Sequence, residues 1–538
     1  MRPLDIWMVS AEMSPLAQTG GLADVVRALP PALQRRGHRV RVFLPAYGRI
    51  DRRSFAYDPT EDHYAVPLGW SRVPVRFLSR DLKDGVRLTL VQSEELFGRD
   101  GLYGPPGGDY DDNDRRFTLL SRAVCELAAG LPRPPDILHG HDWHASLVPL
   151  FARFSIPWRG RRPGTVQTIH NMGYQGRFGA EAIDWIAPPG PVRGAVFHEY
   201  GIAAGGDVNF LQGGLRYADK ITAVSPRYAW EITTREGGFG LHEVAGYRGE
   251  DLVGILNGAD YEHWDPSRDP HIAATYDAAS LDRKEICRRA LRAAFGLEPS
   301  EVVAAPAPSA STGAKPRKRA AGASGRAAKD SKTKRAGTPQ AGGPPWGSGT
   351  TFDRPILGVV SRLVDQKGID ILLAAAPTLV AAGADLVVLG SGDARIVSGL
   401  EALRAAHPNH VGLFIGFNEP LSHQVVAGSD FILIPSRYEP CGLVQMHAMR
   451  YGTIPVVHHT GGLADTVRDF EAHPGRGTGF VFDRLDPESL AHATHRGMSL
   501  RASSPDVWRA LQLRAMAEDF SWDRAAASYE DLFAGMRG

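Results

Sequence analysis

The sequence predicts two doubly wound α/β domains, each a parallel sheet covered by helices, joined through a polar insertion. Short apolar runs alternate with amphipathic segments over the first 265 or so residues and again from Pro355. Such alternation is typical of parallel sheets. A stretch from about Pro299 to Gly349 with almost no large apolar residue separates the two halves, and one nine-residue segment occurs in both.

The elements follow from the positions of the apolar runs. In the first half we predict the strands Asp5–Ser10, Arg39–Leu44, Leu88–Val91, Asp136–His139, Thr165–Ile169, Lys220–Val224 and Leu252–Leu256. Helical patterns lie between several of them, for example Val25–Arg35 and Arg116–Ala128. In the second half the predicted strands are Ile356–Ser361, Asp385–Leu389, Val411–Ile415, Phe431–Pro435, Ile454–Val457 and Gly479–Phe482. A last helix is predicted around Trp522–Met536.

The insertion is rich in Ala, Pro, Gly, Ser and basic residues, and between Lys315 and Arg335 it has nine basic residues and one acid, Asp330. It cannot bury enough apolar surface to offset its ordering entropy, so the sequence predicts disorder. The composition favours a solvated interdomain linker. The alternative is a basic patch that contacts an anionic partner.

Composition excludes several classes of protein. The 61 basic and 60 acidic residues give a net charge of +1, so no field of the whole protein attracts nucleic acid or an acidic membrane. Three distant cysteines suggest neither a disulfide framework nor a four-ligand zinc site, and they fit a reducing cytosol. The first residues are typical of a strand rather than a signal peptide, and no apolar run reaches about 18 residues. We therefore expect a cytoplasmic protein.

The repeated segment is Thr19–Arg27, which recurs as Thr460–Arg468 with eight of nine residues identical. A glycine turn that opens a helix directs backbone N–H groups at an anion, so two facing turns would hold a pyrophosphate. The alternative is that these glycines only cap helices or permit turns. Neither segment matches the glycine pattern of a dinucleotide dehydrogenase or of a P-loop NTPase, so both classes are disfavoured.

Polar side chains follow many of the predicted strands. In open parallel sheets ligands bind beyond the carboxyl ends of the strands, so these residues predict one cleft between two facing sheet ends. The polar positions are Glu12, Asp142, His170 and Asn257 in the first half, and Arg362, Lys367 and Glu439 in the second.

Three of these residues suit glycosyl transfer. A departing nucleoside diphosphate gains negative charge, which Arg362 and Lys367 would stabilise; the alternative is two surface cations. A carboxylate such as Glu439 would stabilise positive charge at an anomeric carbon; the alternative is a helix cap. Cys441 is expected to be a small buried thiol beside the site.

The spacing of His139, His141 and His144 could supply imidazoles to a zinc ion. No carboxylate or cysteine at a recognisable spacing accompanies them, so we expect no metal. Hydrogen-bonding residues of the site and packed core histidines both stay open as interpretations.

Taken together, the motifs resemble those of bacterial glycogen synthases and plant starch synthases, from near residue 4 to near residue 533 apart from the insertion. The segments that carry the resemblance are Thr19–Val26, His141–Ala145, Thr168–Asn171, Ala223–Pro226, Ile255–Gly258, Ser361–Leu363, Gln366–Gly368, Pro435–Leu443 and Thr460–Val467.

The resemblance implies a GT-B fold, with two Rossmann-like domains facing across a cleft and a C-terminal helix that returns to the first domain. The implied ranges are 1–265 for the first domain, 266–298 for a helical connection, 299–350 for the insertion, 351–515 for the nucleotide-sugar domain and 516–538 for the returning helix. The implied reaction is retaining transfer of glucose, usually from ADP-glucose, to the non-reducing end of an α-1,4-glucan, with no metal or other cofactor.

The resemblance also implies roles for single residues. Glu439 faces the donor glucose, Arg362 and Lys367 hold the diphosphate, and His170 contacts the glucose. Asp142 and Asn257 line the cleft. Phe417 is placed to stack on the nucleotide base. The other implied substrate-binding positions are Glu12, Gln18, Gly20, Gly21, Asp24, Cys441, Gly442, Leu443, Thr460, Gly461 and Gly462.

Two positions depart from the family pattern. Gln18 stands where the family usually has a lysine near the donor phosphate, and Gln212 stands where a lysine is common. The loss of the first cation motivates an alternative, a related GT-B enzyme that uses UDP-glucose or another acceptor. A catalytically inactive glucan-binding paralogue is the second alternative. No nucleic-acid or membrane partner is expected, and the oligomeric state stays open.

Overall fold

The computed structural model describes residues 2–57, 64–105, 107–198, 201–297 and 353–536. The predicted disordered insertion, Pro299–Gly349, lies outside the described residues. Two large sheets form, one in each half of the chain, together with a small three-stranded antiparallel sheet. Within the described ranges no helix is long and apolar enough to cross a bilayer.

The described part of the first half contributes thirteen strands. They are β1 (Asp5–Val9), β2 (Arg39–Pro45), β3 (Ala56–Tyr57), β4 (Tyr64–Leu68), β5 (Ser71–Asp81), β6 (Arg87–Gln92), β7 (Ile137–His141), β8 (Gly164–Ile169), β9 (Arg177–Phe178), β10 (Ala203–Ala204), β11 (Asp207–Asn209), β12 (Lys220–Ala223) and β13 (Leu252–Gly254). The large sheet has the order β13-β12-β8-β7-β1-β2-β6-β5-β3, with β4 paired to β5. It is parallel from β13 to β6 and antiparallel beyond.

Helices cover both faces of this sheet. They are α1 (Gly21–Arg35), α2 (Glu94–Phe97), α3 (Asn113–Gly130), α4 (Val148–Phe154), α5 (Ile183–Ile186), α6 (Pro191–Val196), α7 (Phe210–Tyr217), α8 (Pro226–Glu231) and α9 (His242–Tyr247). Two separate apolar cores form, one on each face: α1 packs in one and α3 with α4 in the other.

The second half alternates strands and helices up to its last strand and then ends in three consecutive helices. The elements are α10 (Lys284–Phe295), β14 (Ile356–Val360), α11 (Ile369–Ala381), β15 (Asp385–Gly390), α12 (Ala394–Ala406), β16 (Val411–Ile415), α13 (Glu419–Gly428), β17 (Phe431–Ile434), α14 (Val444–Arg450), β18 (Ile454–His458), α15 (Gly461–Thr466), β19 (Phe480–Phe482), α16 (Pro487–Ser503), α17 (Pro505–Met516) and α18 (Trp522–Gly535). The sheet is parallel, in the order β16-β15-β14-β17-β18-β19.

All thirteen predicted strands form, with ends that differ from the prediction by at most two residues. The predicted doubly wound architecture is therefore confirmed for both halves. Four short strands in irregular regions, and the long antiparallel pair β4 and β5, were not predicted.

The last helix returns to the first domain, as expected. The side chains of Trp522, Tyr529 and Phe533 on α18 are buried in the core beneath α1. Arg36, directly after α1, forms an ion pair with Glu530 of α18. The chain thus crosses between the domains twice, and the two crossings touch, because Ala259 N donates to Phe520 O at 2.7 Å.

Candidate active site

The functional residues lie where the strand order of each sheet reverses. In the first sheet the order reverses between β1 and β7, and the segments containing Glu12 and Asp142 follow these two strands. In the second sheet it reverses between β14 and β17, which lead to Arg362 and Glu439. Such a reversal opens a crevice at the carboxyl ends of the strands, where ligands of this fold class bind.

Glu439 is held in the second of these crevices by two side chains. Its Oε2 accepts a hydrogen bond from Lys367 Nζ at 2.5 Å and another from Ser436 Oγ at 3.0 Å. Lys367 precedes α11 and Ser436 follows β17, so the carboxylate and the cation come from neighbouring strands of the sheet. Glu439 is buried, and the charge-assisted bond fixes its orientation.

The second glycine turn lies directly beneath Glu439. Gly462 N donates to Glu439 O at 3.0 Å. Gly461 has φ +44°, and a Cβ built on it would lie 1.9 Å from Glu439 O. Only glycine fits this close approach between the turn and the backbone of Glu439.

Two residues of the first domain contact the segment that follows Glu439. Ser225 Oγ donates to Pro440 O at 2.8 Å, and the backbone N–H of Asn257 donates to the thiol of Cys441. Burial raises the pKa of Cys441 to about 12, so the residue is a neutral buried thiol, as the sequence predicted. The side chain of Asn257 is buried beside it.

Asp142 is the most strained residue of the site. It follows β7 with φ 54° and ψ −174°, a backbone conformation found almost only in glycine. Its Oδ1 accepts the N–H of His170 at 2.7 Å. Burial raises the pKa of the Asp142 carboxyl to about 7, against the lowering effect of the N–H groups of His170 and Asn171. The carboxyl group of Asp142 is therefore only partly ionised near neutral pH.

Three histidines of the first domain, His139, His141 and His170, lie against one another. The rings of His139 and His141 stack with centroids 4.2 Å apart, and His141 Nδ1 lies 3.0 Å from His170 Nε2. Burial lowers the pKa of His170 to about 3, so its imidazole is neutral. His144 instead packs against the rings of Tyr103 and Phe117. Within the described ranges no group of three or more metal-binding side chains is arranged around a common point.

The first glycine turn holds a carboxylate of the chain itself. Glu12 accepts hydrogen bonds from Thr19 N at 2.6 Å, Thr19 Oγ1 at 2.6 Å and Gly20 N at 3.2 Å. The Cβ positions of Gly20 and Gly21 face open space. The turn is therefore accessible on the side away from Glu12.

The second turn also holds a carboxylate, and this one comes from the other domain. Gly461 N donates to Glu231 Oε1 at 2.9 Å, and Thr460 Oγ1 donates to the same oxygen at 3.3 Å. Both copies of the repeat thus hold a carboxylate where the sequence predicted an anion. Binding of a diphosphate at either turn stays a prediction.

Helices α8 and α15 form reciprocal hydrogen bonds across the domain boundary, in which a carboxylate of each helix accepts a backbone N–H of the other. Asp465 Oδ2 on α15 accepts the N–H of Arg227 at the start of α8, at 2.7 Å. Glu231 at the end of α8 accepts the N–H of Gly461 at the start of α15. We call these four residues, Arg227, Glu231, Gly461 and Asp465, the interdomain clasp.

Gln18 and Asp24 face the second domain from the edge of the first turn. Gln18 Nε2 donates to Asp24 Oδ1 at 3.1 Å. Burial, and then the charges of Asp260, Glu12 and Glu419, raise the pKa of Asp24 to about 6. Since Glu419 belongs to the second domain, the first turn lies close to that domain.

The remaining predicted residues lie along the second domain. Arg362 is exposed, and its NH2 donates to Gln366 Oε1 at 3.1 Å. The ring of Phe417 is 84% exposed at the end of β16. Gly442 has φ +72° at the turn into α14, and Leu443 is half-buried beside it. The structure brings Glu439, Lys367, Cys441, Gly461, Gly462 and Thr460 into one connected group.

The comparisons with known proteins agree with this geometry. Residues 5–246 match the family model described as the starch synthase catalytic domain, and residues 347–508 match that of glycosyl transferases group 1. The glycogen synthase of Thioalkalivibrio sulfidiphilus is 41% identical to this chain, over 98% of this chain and 99% of its own. The chain belongs to the glycogen and starch synthase family. It is accordingly a glycosyltransferase with the GT-B fold.

Other members of the family agree over the same length. The glycogen synthase of Anaeromyxobacter dehalogenans strain 2CP-1 is 38% identical over 98% of both chains. The catalytic domain of starch synthase IV from Arabidopsis thaliana, solved bound to ADP and acarbose, has a TM-score of 0.81 and 31% identity over 99% of both chains. Sucrose-phosphate synthase from Thermosynechococcus elongatus, at 17% identity and a TM-score of 0.56, shares the fold.

The sequence analysis assigned no role to the side chains of Ser225, Ser436, Glu231 and Asp465. Asp465 had a usable signal, because it occupies the same place in the repeat as Asp24. Glu231 had none, since its partner Gly461 lies 230 residues away. Gln212, which had no explanation in the sequence, donates its side-chain amide to the buried carbonyls of Gly201 and Ala203 at 2.7 and 3.0 Å.

Proposed function

We propose that this family member extends an α-1,4-glucan with glucose taken from ADP-glucose, with retention at the anomeric carbon. The observation that carries the proposal is the pair formed by Glu439 and Lys367 in the crevice of the second domain. Asp142 and His170 lie in the corresponding crevice of the first domain. A sugar between the two crevices would have a carboxylate, a cation and a neutral imidazole around it.

The cations are proposed to stabilise the leaving diphosphate. When the bond from the anomeric carbon to the diphosphate oxygen breaks, its electron pair leaves with the diphosphate. Lys367 has three N–H donors and uses one for Glu439, so two are left for phosphate oxygens. Arg362 uses one of its five N–H donors for Gln366, and its other guanidinium N–H groups can donate to the diphosphate oxygens.

Glu439, Asp142 and His170 are proposed to act on the sugar side. The transition state of glycosyl transfer carries positive charge at the anomeric carbon, which a buried carboxylate such as Glu439 stabilises. The neutral imidazole of His170 is suited to hydrogen bond a sugar hydroxyl without adding a charge. Asp142 fixes the loop of His170 by accepting its backbone N–H.

Support for adenine comes from the relative with bound ADP, and the exposed ring of Phe417 supplies a stacking surface for a base. Gln18 motivates the alternative, use of UDP-glucose, because an amide replaces the cation usual at this position. An inactive paralogue is disfavoured, since Glu439 and Lys367 are present and in contact. The cytoplasmic location and the lack of a cofactor stay predictions.

The deciding experiment compares ADP-glucose and UDP-glucose with maltoheptaose as acceptor. We expect kcat/KM at least tenfold higher for ADP-glucose. A preference for UDP-glucose would replace the donor assignment, and glucan binding without transfer from either donor would support the inactive paralogue. The variant Gln18→Lys adds a cation next to Asp24 and should lower the KM of the preferred donor.

Lys367→Ala tests the diphosphate role. Loss of the ammonium should raise the donor KM and lower kcat by about tenfold or more, because a charge-assisted bond contributes roughly 1.5–3 kcal/mol. Lys83→Ala, an exposed lysine of the first domain, is the control. Unchanged donor kinetics in Lys367→Ala would remove this residue from the mechanism.

A further inference from the structure

A tryptophan stands in solvent at the turn between β4 and β5. Leu68 pairs with Ser71, so Gly69 and Trp70 form a two-residue hairpin turn. The side chain of Trp70 is 78% exposed. A large apolar ring at such a turn contributes nothing to the core, and an exposed aromatic patch generally marks a binding surface.

A second tryptophan lies beside it in a fixed position. Trp185 on α5 donates its indole N–H to Asp114, and its ring lies under the guanidinium of Arg115, 5.4 Å from the ring centroid. Gly69 N donates to Trp185 O at 3.1 Å. Gly69 has φ +60°, and a Cβ there would lie 2.7 Å from Asp184 O, so only glycine lets the turn dock this closely on α5.

The two rings line one cavity together with polar side chains. The cavity has a volume of about 350 Å³ and is lined by Trp70, Ser71, Glu181, Asp184 and Trp185. This volume lies within the range of small-molecule sites, roughly 300–1,000 Å³. Asp184 is paired with Arg193. Glu181 has no side-chain partner in the described part of the chain, and its carboxylate, which lies against Gly179, is available as an acceptor.

We propose that this cavity is a second glucan-binding site, separate from the crevice of Glu439. The inference rests on the proposed function for its ligand, a polymer of α-1,4-linked glucose. A glucose ring has an apolar face of C–H groups, which packs on an indole, and an edge of hydroxyls, which donate to carboxylates. The carboxylates of Glu181 and Asp184 repel phosphate and nucleic acid, so the lining fits a neutral polyhydroxy ligand.

The site would hold the polymer and leave the chemistry unchanged. Binding a long glucan at Trp70 raises the local concentration of its chain ends near the active crevice, which is a gain from multivalency. A short acceptor cannot reach both sites. The effect is therefore expected in the KM for glycogen and absent from the kinetics with maltotriose.

The test uses the full chain with Trp70→Ala. We expect the KM for glycogen to rise at least fivefold, the affinity for maltoheptaose measured calorimetrically with donor absent to lose its weaker component, and kcat with maltotriose to stay unchanged. Trp70→Tyr keeps a ring and should retain most of the affinity. Tyr247→Ala, which removes another ring that is 83% exposed, is the matched control.

Unchanged glycogen kinetics in Trp70→Ala would overturn the inference while leaving the proposed function intact. A change of oligomeric state in this variant on size exclusion, with glucan binding unaltered, would identify the patch as a protein interface and would also overturn it. If the wild-type protein transferred glucose to no glucan at all, the proposed function itself would fail.

Discussion

At the scale of single residues, the site depends on one buried carboxylate that touches a cation. Glu439 receives bonds from Lys367 and Ser436, and its backbone carbonyl receives the N–H of Gly462. Its position is thus set from three sides. The charge, rather than the shape, is what the transition state would use.

Glu439→Gln should keep the fold and lose turnover. The amide has the same shape but no charge, so we expect kcat to fall by about 10²–10³, the usual effect of removing one group that stabilises transition-state charge. The measurement is kcat with the preferred donor and maltoheptaose, with thermal unfolding as the control for folding. Turnover equal to that of the wild type would show that the charge is not used.

Asp142→Asn tests the ionisation of the strained residue. The folded pKa of about 7 lies above the value of about 3.9 in an unfolded chain. The folded state therefore binds the proton more tightly, and this group's contribution to stability falls as pH rises from about 4 to about 7. In the asparagine variant this decrease in stability with rising pH should be absent. Thermal unfolding from pH 4 to 8 would measure it.

The same variant should remove an ionisation near pH 7 from the pH profile of kcat/KM. A profile identical to that of the wild type would assign the ionisation to another group. Other substitutions at this position must adopt the same backbone conformation, which costs of order 1–3 kcal/mol in any residue but glycine. Asparagine tolerates positive φ better than most, which makes it the suitable probe.

At the scale of elements, the interdomain clasp aligns the two halves of the site. The N–H groups at the starts of α8 and α15 are each satisfied by a carboxylate of the other helix. Helix N-termini favour negative charge, so each bond adds a dipole term to the hydrogen bond. Because α15 also supports the backbone of Glu439, the clasp positions that residue relative to the first domain.

Glu231→Ala should lower kcat about tenfold with a smaller change in donor KM. The variant leaves Gly461 N without its charged acceptor, a loss of roughly 1.5–3 kcal/mol. Glu231→Gln keeps an acceptor oxygen and should restore part of the rate. The exposed Glu236→Gln is the control. A rate loss that follows only the thermal stability of the variants would reduce the residue to a structural role.

The elements that the sequence predicted well are the buried parallel strands. Strands such as β14 and β15 are covered on both faces, so their sequences are continuous apolar runs. Such runs are easy to recognise between amphipathic helical segments. The antiparallel pair β4 and β5 was missed because it contains Pro67 and Pro74, and proline is depleted in strands. Segments paired on one side tolerate proline, and only the tertiary structure shows that Pro67 and Pro74 stand in such segments, where β4 and the first part of β5 pair with each other.

For the site, the sequence placed the residues that follow strands and missed those that join the domains. Asp142, His170 and Glu439 follow predicted strands, and the rule for open sheets brought them together. Ser225 directly precedes α8 of the first domain and Glu231 ends it, and both residues bond to the second domain. Their role depends on the relative placement of two sheets, which no local pattern encodes.

At the scale of the whole molecule, the last helix belongs to the core of the first domain. Phe533 is fully buried there with Tyr529 and Trp522. The first domain is therefore incomplete until the end of the chain has been made. Its stability depends on residues more than 500 positions from the start of the domain.

Phe533→Ala should destabilise the first domain by about 3–5 kcal/mol, the usual cost of removing a buried phenylalanine ring. The measurement is chemical unfolding followed by tryptophan fluorescence. Asp531→Ala on the exposed side of the same helix is the control. A midpoint unchanged by Phe533→Ala would show that α18 is not part of the cooperative unit.

The two crossings between the domains also define how the domains can move. The backbone N–H of Ala259 donates to the carbonyl of Phe520, and a Cβ on Gly258 would lie within 2.7 Å of Trp522. The two connecting segments are therefore in close contact over a few residues, which define a line. Two adjacent tethers permit rotation about that line and resist sliding or twisting. If the crevice opens by rotation about that line, closure would return Glu231 to Gly461 in the same register.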